Sequence, residues 1–375
     1  MKQVGIIFHD IFLQHETGDH PENPDRLRRT LETLTSLDFF GDGHLSWIEP
    51  LKPRKATVEE IRWCHALELI ETARIRCKEA ISLPYQLFLD SPNNRYGETV
   101  ASPQSYDAAL YAAGGMFTAI DAIMNRKIDS AFNLCRPPGH HSDYANARGF
   151  CIFNNIGLAV NYLYHHYGMK KMAIVDFDAH AGNGTEDLMN EGHIPADLLM
   201  ISLHQHPDTL YPGTCYVNEI GEGEHQGKIF NLTLAPSSGH ETIKQMFQTV
   251  IIPALREFNP EFLLISAGYD GHHNDPLTNL GFMEQTYTWM VKTMQNVMSD
   301  LNHDRILATL EGGYDLTALS HSIANTIAAL AKFNPPFKES NIISESDEVM
   351  AFNNDKVIPY LNSLMNPYWK SFHGD

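Results

Sequence analysis

The chain has no uninterrupted apolar run long enough to span a bilayer, and its N-terminal run VGIIF is broken at once by His9 and Asp10. Neither a transmembrane helix nor a secretory h-region is expected. Cysteine is scarce: Cys64, Cys77, Cys135, Cys151 and Cys215 are five in 375 residues, an odd number with no C-x-x-C pair. That argues against a disulfide framework and a cysteine-rich structural zinc site, and it points to a reducing compartment. Positive charge is short as well. Lys plus Arg total 27 against 46 Asp plus Glu, a formal charge of −19, which disfavours a phosphate backbone as partner. Repeats, low-complexity tracts and clear linkers are missing too. The expectation is a single cytoplasmic domain over residues 1–375, with no membrane or nucleic-acid partner and with residues 333–375 as a peripheral C-terminal segment.

What is present is organised around MAIVDFDAHAGNGTE at 172–186. An apolar, β-branched run of the kind that forms a buried strand ends there in Asp176, Asp178 and His180, ahead of a Gly-Asn-Gly turn. Alternation by two puts the three side chains on one face while the backbone stays extended. Two carboxylates and an imidazole converging there need either a cation or a dedicated hydrogen-bond network between them. A solvated strand end is the plainer alternative.

Strand-like and helical runs alternate along the chain. VGIIF (4–8), AFNLC (131–135), MAIVDFD, LLMISL (198–203), FLLIS (262–266) and ILATL (306–310) read as strands. Helices are expected near 57–63, 66–80, 107–124, 155–167, 240–258 and 283–301, with another closing the pattern. The alternation predicts an α/β fold, a three-layer sandwich whose mostly parallel, doubly wound sheet is covered on both faces. Two polar loops, HDIFLQHETGDHPENPD and 88–103, are too long to be mere connectors.

Ligands in such sheets bind beyond the carboxyl ends of the strands. AFNLC is followed by RPPGHH with His140 and His141, FLLIS by AGYD ending at Asp270, and ILATL by EGGY ending at Tyr314. Asp178, His180 and Asp270 make a three-ligand set for one zinc ion that leaves room for water and a substrate oxygen. His140 and His141 suit acid/base work, with Asp176 and Asn183 as natural partners, one charged and one neutral. Tyr314 can donate to an oxygen that develops negative charge, although a phenol bonded to backbone is the structural alternative. The pairs His165-His166, His272-His273 and His204-Gln205-His206 are read as surface or structural.

Together with HPENPDRL (20–27), SYDAALYAAGG (105–115), GFCIFNN (149–155) and SLHQHPDTLYPGT, these motifs resemble the zinc-dependent histone deacetylase family, in its class II and bacterial amidohydrolase-like branch. The resemblance covers nearly the whole chain except the tail. It implies an arginase-like α/β sandwich and a zinc-activated water attacking an acetyl amide. By motif matching, Asp178, His180 and Asp270 bind zinc, His140 and His141 act as base and acid, and Tyr314 polarises the carbonyl. The family further implies a narrow acyl-lysine tunnel walled by Gly149, Phe150 and Tyr211. It also implies a structural K+ near Asp176, Asp178, His180, Ser202 and Leu203. The rim acid that holds substrate amides has no clean match, Glu98 coming first and Asp90 second. Ala181 and Ser142 are further departures.

Acetyl-lysine in proteins or peptides is therefore the expected substrate, and an acetylated polyamine is the close rival. Leu277 stands where one polyamine-selective branch carries glutamate, which favours acyl-lysine. A dinuclear manganese ureohydrolase needs further aspartates where this chain has Gly182 and His272. A non-catalytic acetyl-lysine binder would have no use for the full residue set. Association into a homo-oligomer is allowed, with no subunit number implied.

Overall fold

Strong β-formers flanked by Gly, Pro and Asn dictate the architecture. The computed structural model describes residues 2–40, 45–82, 86–90 and 97–373. Its main sheet comprises β1 (Val4–Ile7), β2 (Ile48–Leu51), β5 (Ser130–Asn133), β6 (Lys171–Asp176), β7 (Asp197–Gln205), β8 (Ile229–Leu234), β9 (Phe262–Ala267) and β10 (Ile306–Leu310). These eight strands run in the order β2-β1-β5-β10-β9-β6-β7-β8, every pairing parallel. A small antiparallel pair, β3 (Leu87–Phe88) and β4 (Val100–Ala101), forms within the second long loop. Residues 91–96 of that loop lie outside the described residues.

Successive side chains of the central strands enter opposite cores. Ala173 and Val175 of β6 join one apolar cluster and Met172 and Ile174 the other; Leu263 and Ile265 of β9 part from Phe262 and Leu264 in the same way. Helices Asp25–Ser36, Glu284–Asp300 and Leu316–Leu330 cover the first face, and Leu67–Glu79, Ser105–Met124 and Asn155–Tyr167 the second. Burial on both faces is why these strands read as continuous apolar runs. The small residues of Ser105–Met124 allow close approach: a Cβ at Gly115 would lie 2.5 Å from Asn133 Oδ1 on β5.

Two strands escape the periodicity reading, and both lie at sheet edges. β2 carries Pro50, which an edge tolerates because one side of the strand has no ladder to supply. β8 is interrupted by Asn231 and Thr233. The segment expected to be peripheral is more integral than that. Val357, Ile358, Leu361, Met365, Trp369 and Phe372 belong to the first core cluster, and Trp369 Nε1 donates to Gly227 O at 2.6 Å. The expected helix at 240–258 is interrupted by a π turn, Phe247–Ile251, immediately before Pro253. Proline removes a helical donor, and the wider turn accommodates the loss.

One buried histidine couples folding to pH. His65 donates from Nδ1 to Asp143 O at 2.8 Å and accepts at Nε2 from Asn154 N at 2.8 Å. Protonation of Nε2 would set two donors against each other. Burial accordingly pushes His65 down to about 4. Below pH about 6.5 the unfolded chain takes up a proton that the folded chain refuses, so stability falls as pH drops toward 4. The unfolding free energy of wild type minus that of His65→Gln should shrink by about 1.4 kcal/mol per pH unit in that window. A difference that stays flat between pH about 7 and 5 in urea titrations contradicts this reading.

Candidate active site

β5, β10, β9 and β6 are contiguous at the middle of the sheet, so the loops leaving their carboxyl ends converge. Those are the loops that carry the sequence-predicted residues. Asp178, His180 and Asp270 place a ligand atom each within 4.8 Å of one another. His180 Nδ1 lies 2.8 Å from Asp270 Oδ2 and 3.2 Å from Asp178 Oδ1. Backbone donors hold the carboxylates in place. Gly312 N–H donates to Asp178 Oδ2 at 2.7 Å, and Ala179 N–H donates to Asp270 Oδ1 at 2.8 Å. Glycine is required around them, since a Cβ on Gly268 or Gly312 would collide with these carboxylate groups.

Electrostatics follow from the crowding. Burial opposes a charge on His180, but Asp270 and Asp178 outweigh it and push the imidazole up to about 10. Burial and the neighbouring Asp178 charge raise Asp270 to about 6 against the pull of His180. Asp178 is held below the usual carboxylate range, because His140 and His180 overcome its burial. Two buried carboxylates and one imidazole with converging atoms match the donor set of a divalent N/O-liganded cation. The aspartates that would bridge a second divalent metal are missing, Gly182 and His272 standing in their places. A Cβ at Gly182 would fall 2.5 Å from Asp176 Oδ2, and His272 belongs to a different cluster.

His140 and His141 lie side by side, their ring centroids 4.1 Å apart. His140 Nδ1 faces Asp176 Oδ2 at 3.0 Å, and His141 Nδ1 faces Asn183 Oδ1 at 2.7 Å. In each ring Nδ1 is therefore the donor to its partner, which leaves Nε2 for the reacting groups. The neutral amide and the carboxylate separate the two rings chemically. Burial disfavours the charge on both, but Asp176 and Asp178 carry His140 up to about 10, whereas His140 and His180 drive His141 further below its ordinary value.

These groups line a cavity of about 210 Å³ with Glu98, Pro138, Gly149, Phe150, Leu210, Tyr211, Leu277, Gly312 and Tyr314. Gly149 and Phe150 both have positive φ, +55° and +68°, and a Cβ on Gly149 would meet the His141 ring. The wall thus packs directly on that imidazole. Tyr211 meets it edge-on at 5.1 Å, and Phe150 meets Tyr314 edge-on at 6.0 Å. Glu98 is exposed at the mouth. Asp90 is turned to another task, its carboxylate accepting from Glu98 N and Thr99 N at 2.9 Å each. Burial and Asp270 keep the Tyr314 phenol protonated far above neutral pH.

Of the histidines read as surface or structural, His204 is a buried strut between Ser202 Oγ (2.8 Å) and Cys215 O (2.9 Å). His165 and His166 pack on Trp63. His272 takes the structural alternative, being buried.

Several residues were quoted in motifs without a role, and the structure gives them one. Glu311 Oε2 accepts from Gly139 N (2.7 Å) and His140 N (3.1 Å), fixing the His-His turn. Asp275 Oδ2 accepts from Tyr314 N at 2.7 Å. Arg26 donates to Gly313 O (2.7 Å) and Glu311 O (2.6 Å), and Glu22 bridges Arg26 and Arg136. The only signal for them was their adjacency to the motif residues.

Residues 20–330 match the model of the histone deacetylase domain. The chain belongs to the histone deacetylase family. A probable deacetylase of Archaeoglobus fulgidus is 34% identical over 334 residues, covering 88% of this chain and 87% of that protein. The chloroplastic histone deacetylase 14 of Arabidopsis thaliana is 33% identical, covering 89% and 77%. The crystal structure of the HDA15 HD domain superposes with a TM-score of 0.85 at 27% identity, over 99% of this chain and 98% of that one. This deacetylase-family chain is thus a hydrolase acting on amides, on an α/β fold of the arginase/deacetylase type. The family match ends at 330, before the C-terminal helices.

Proposed function

We propose that this chain is a zinc-dependent deacetylase that hydrolyses the acetyl amide of acetyl-lysine side chains in proteins or peptides. The observation that carries the reading is a cavity lined by Asp178, His180, His140, His141 and Tyr314 together with Phe150, Leu210, Tyr211 and Leu277, with Asp270 bonded to His180 behind it. Such walls take an aliphatic stem, and the polar depth takes a neutral amide.

Zinc held by Asp178, His180 and Asp270 supplies Lewis acidity to a carbonyl oxygen and to water. The chain's own groups do the rest. Tyr314 donates its phenolic proton in a hydrogen bond to the carbonyl oxygen as negative charge develops there. His141, neutral against Asn183, takes a proton from the attacking water at Nε2. His140, charged against Asp176, balances the developing anion and protonates the departing amine, releasing acetate and a lysine ammonium. Gly149, Phe150 and Tyr211 orient the stem and exclude bulk water. Glu98 at the mouth is the acid that receives the substrate backbone amides. A structural K+ fits beside the site, where β6 and β7 place Asp176 opposite Ser202. Five free, buried cysteines support a reducing, cytoplasmic setting. Among the described residues no helix is long and apolar enough to cross a membrane.

Glu98 also favours a second reading, an acetylpolyamine amidohydrolase, because a carboxylate at the mouth can pair with an ammonium several methylenes from the amide. A panel of acetyl-lysine peptides, longer acyl-lysines and acetylated polyamines, each with and without a zinc chelator, tests both. We expect kcat/KM for acetyl-lysine peptides to exceed that for polyamines by about 10-fold or more, a difference of about 1.4 kcal/mol in transition-state binding. The chelator should abolish turnover of every substrate. Preference for the polyamines rejects the protein-substrate reading, and undiminished turnover in chelator rejects the zinc.

A further inference from the structure

We propose that His272, His273 and Glu339, whose ligand atoms lie within 4.8 Å of one another, form a second transition-metal site with Glu284 facing it beside His272, one that pins the C-terminal segment to the loop bearing Asp270. The four residues come from three separate parts of the fold. His272 and His273 follow β9, Glu284 opens the helix Glu284–Asp300, and Glu339 lies beyond the span of the family match.

His272 and His273 stack at 4.6 Å. His273 Nε2 lies 2.8 Å and His272 Nε2 3.5 Å from Glu339 Oε1, and His272 Nε2 lies 3.7 Å from Glu284 Oε2. Ligand bonds of about 2.05 Å in a tetrahedral zinc site separate neighbouring donors by roughly 3.4 Å. Two of these separations are already near that value, and the third has to open by about 0.6 Å.

The second observation is unmet hydrogen-bonding capacity. His272 is 1% and Glu284 5% exposed, yet His272 Nε2, Glu284 Oε2 and Glu339 Oε2 have no hydrogen-bond partner among the described residues. Buried polar atoms left open in one small volume, and aimed at one another, are what an ion would satisfy. Two imidazoles and one carboxylate converging within 4.8 Å suit zinc, cobalt or nickel, and Glu284 Oε2, facing His272 Nε2 at 3.7 Å, is placed to close the set as a fourth ligand.

The scaffold is set without help from an ion. His273 N–H donates to Phe282 O at 3.0 Å. Asn325 holds both backbone groups of Phe337 at 2.8 and 3.0 Å, and His321 stacks on the Phe337 ring at 3.7 Å, so the approach to Glu339 is fixed. Two contacts oppose loading: the His273 Nε2–Glu339 Oε1 hydrogen bond at 2.8 Å is exchanged for ligation, and a weaker one involves His272. Asn274 N–H reaches His272 Nδ1 at 3.2 Å, and ligation through Nε2 moves the ring proton to Nδ1 and gives that weak bond up. His273 and Glu339 remain partly exposed, so an ion has a route in.

The proposal does not depend on the catalytic reading, and the test keeps the two apart. Wild type, a His273→Ala/Glu339→Gln double variant and His180→Ala are each dialysed against Zn²⁺ and then against metal-free buffer, and bound zinc is measured by elemental analysis. The double variant replaces partly exposed side chains, and near-UV circular dichroism verifies its fold. We expect it to retain one zinc equivalent fewer than wild type and to show a smaller rise in Tm on adding Zn²⁺ than wild type does. Equal zinc in wild type and the double variant overturns the second site. Equal zinc in wild type and His180→Ala overturns the central ligand assignment and leaves the second site standing.

Discussion

His180→Ala is expected to weaken metal binding by at least about 100-fold, because removing a partner that merely orients a ligand already costs 10- to 100-fold. Turnover should fall by about three orders of magnitude or more, as several kcal/mol of charge stabilisation are lost. As a ligand the imidazole would be the one uncharged donor beside two buried carboxylates, and its Nδ1 lies 2.8 Å from Asp270 and 3.2 Å from Asp178. Without it those carboxylates face each other directly and repel. His204→Ala is the comparison, since that ring bonds only Ser202 and the Cys215 carbonyl. Titrating the stripped proteins with zinc under calorimetry measures the affinities. Wild-type affinity in the His180 variant removes His180 from the ligand set.

Much of this site is legible in the sequence because its chemistry sits at strand ends. An apolar run that stops in Asp-Phe-Asp-Ala-His marks both the strand and the group it delivers, and four such stops lie on β5, β6, β9 and β10, which the sheet places together. Residues that act through backbone contacts leave no such mark. Glu311, Asp275 and Arg26 hold the His-His turn and the Tyr314 loop by bonds to N–H and C=O groups hundreds of residues away in some cases, Arg26 reaching Gly313. Periodicity does not encode those pairings. The same limit hid β2 and β8, where Pro50 and Asn231 break the apolar pattern at edges that tolerate them. It also hid the C-terminal anchors, since Trp369 and Phe372 pack on Phe230 from far along the chain. For His272 the loop setting leaves surface and structural roles open, and only the fold buries it.

Tyr314→Phe is expected to leave zinc content unchanged and to lower kcat by about two to three orders of magnitude, the usual loss on removing one oxyanion donor. KM should change little, because the phenol's contribution grows as the carbonyl oxygen gains charge. Position and chemistry both favour a clean result. The backbone at 314 is held by Asp275 through the Tyr314 N–H and by Arg26 through the neighbouring Gly313 carbonyl, and the ring packs on Phe150, all of which phenylalanine keeps. A structural role would appear as a lower Tm, whereas we expect stability to stay within about 0.5 kcal/mol of wild type. Burial and Asp270 hold the phenol protonated, so the loss should be the same across neutral pH rather than confined to one limb of the profile. Turnover within about threefold of wild type, with zinc bound, would assign carbonyl polarisation to other groups and return Tyr314 to the tunnel wall.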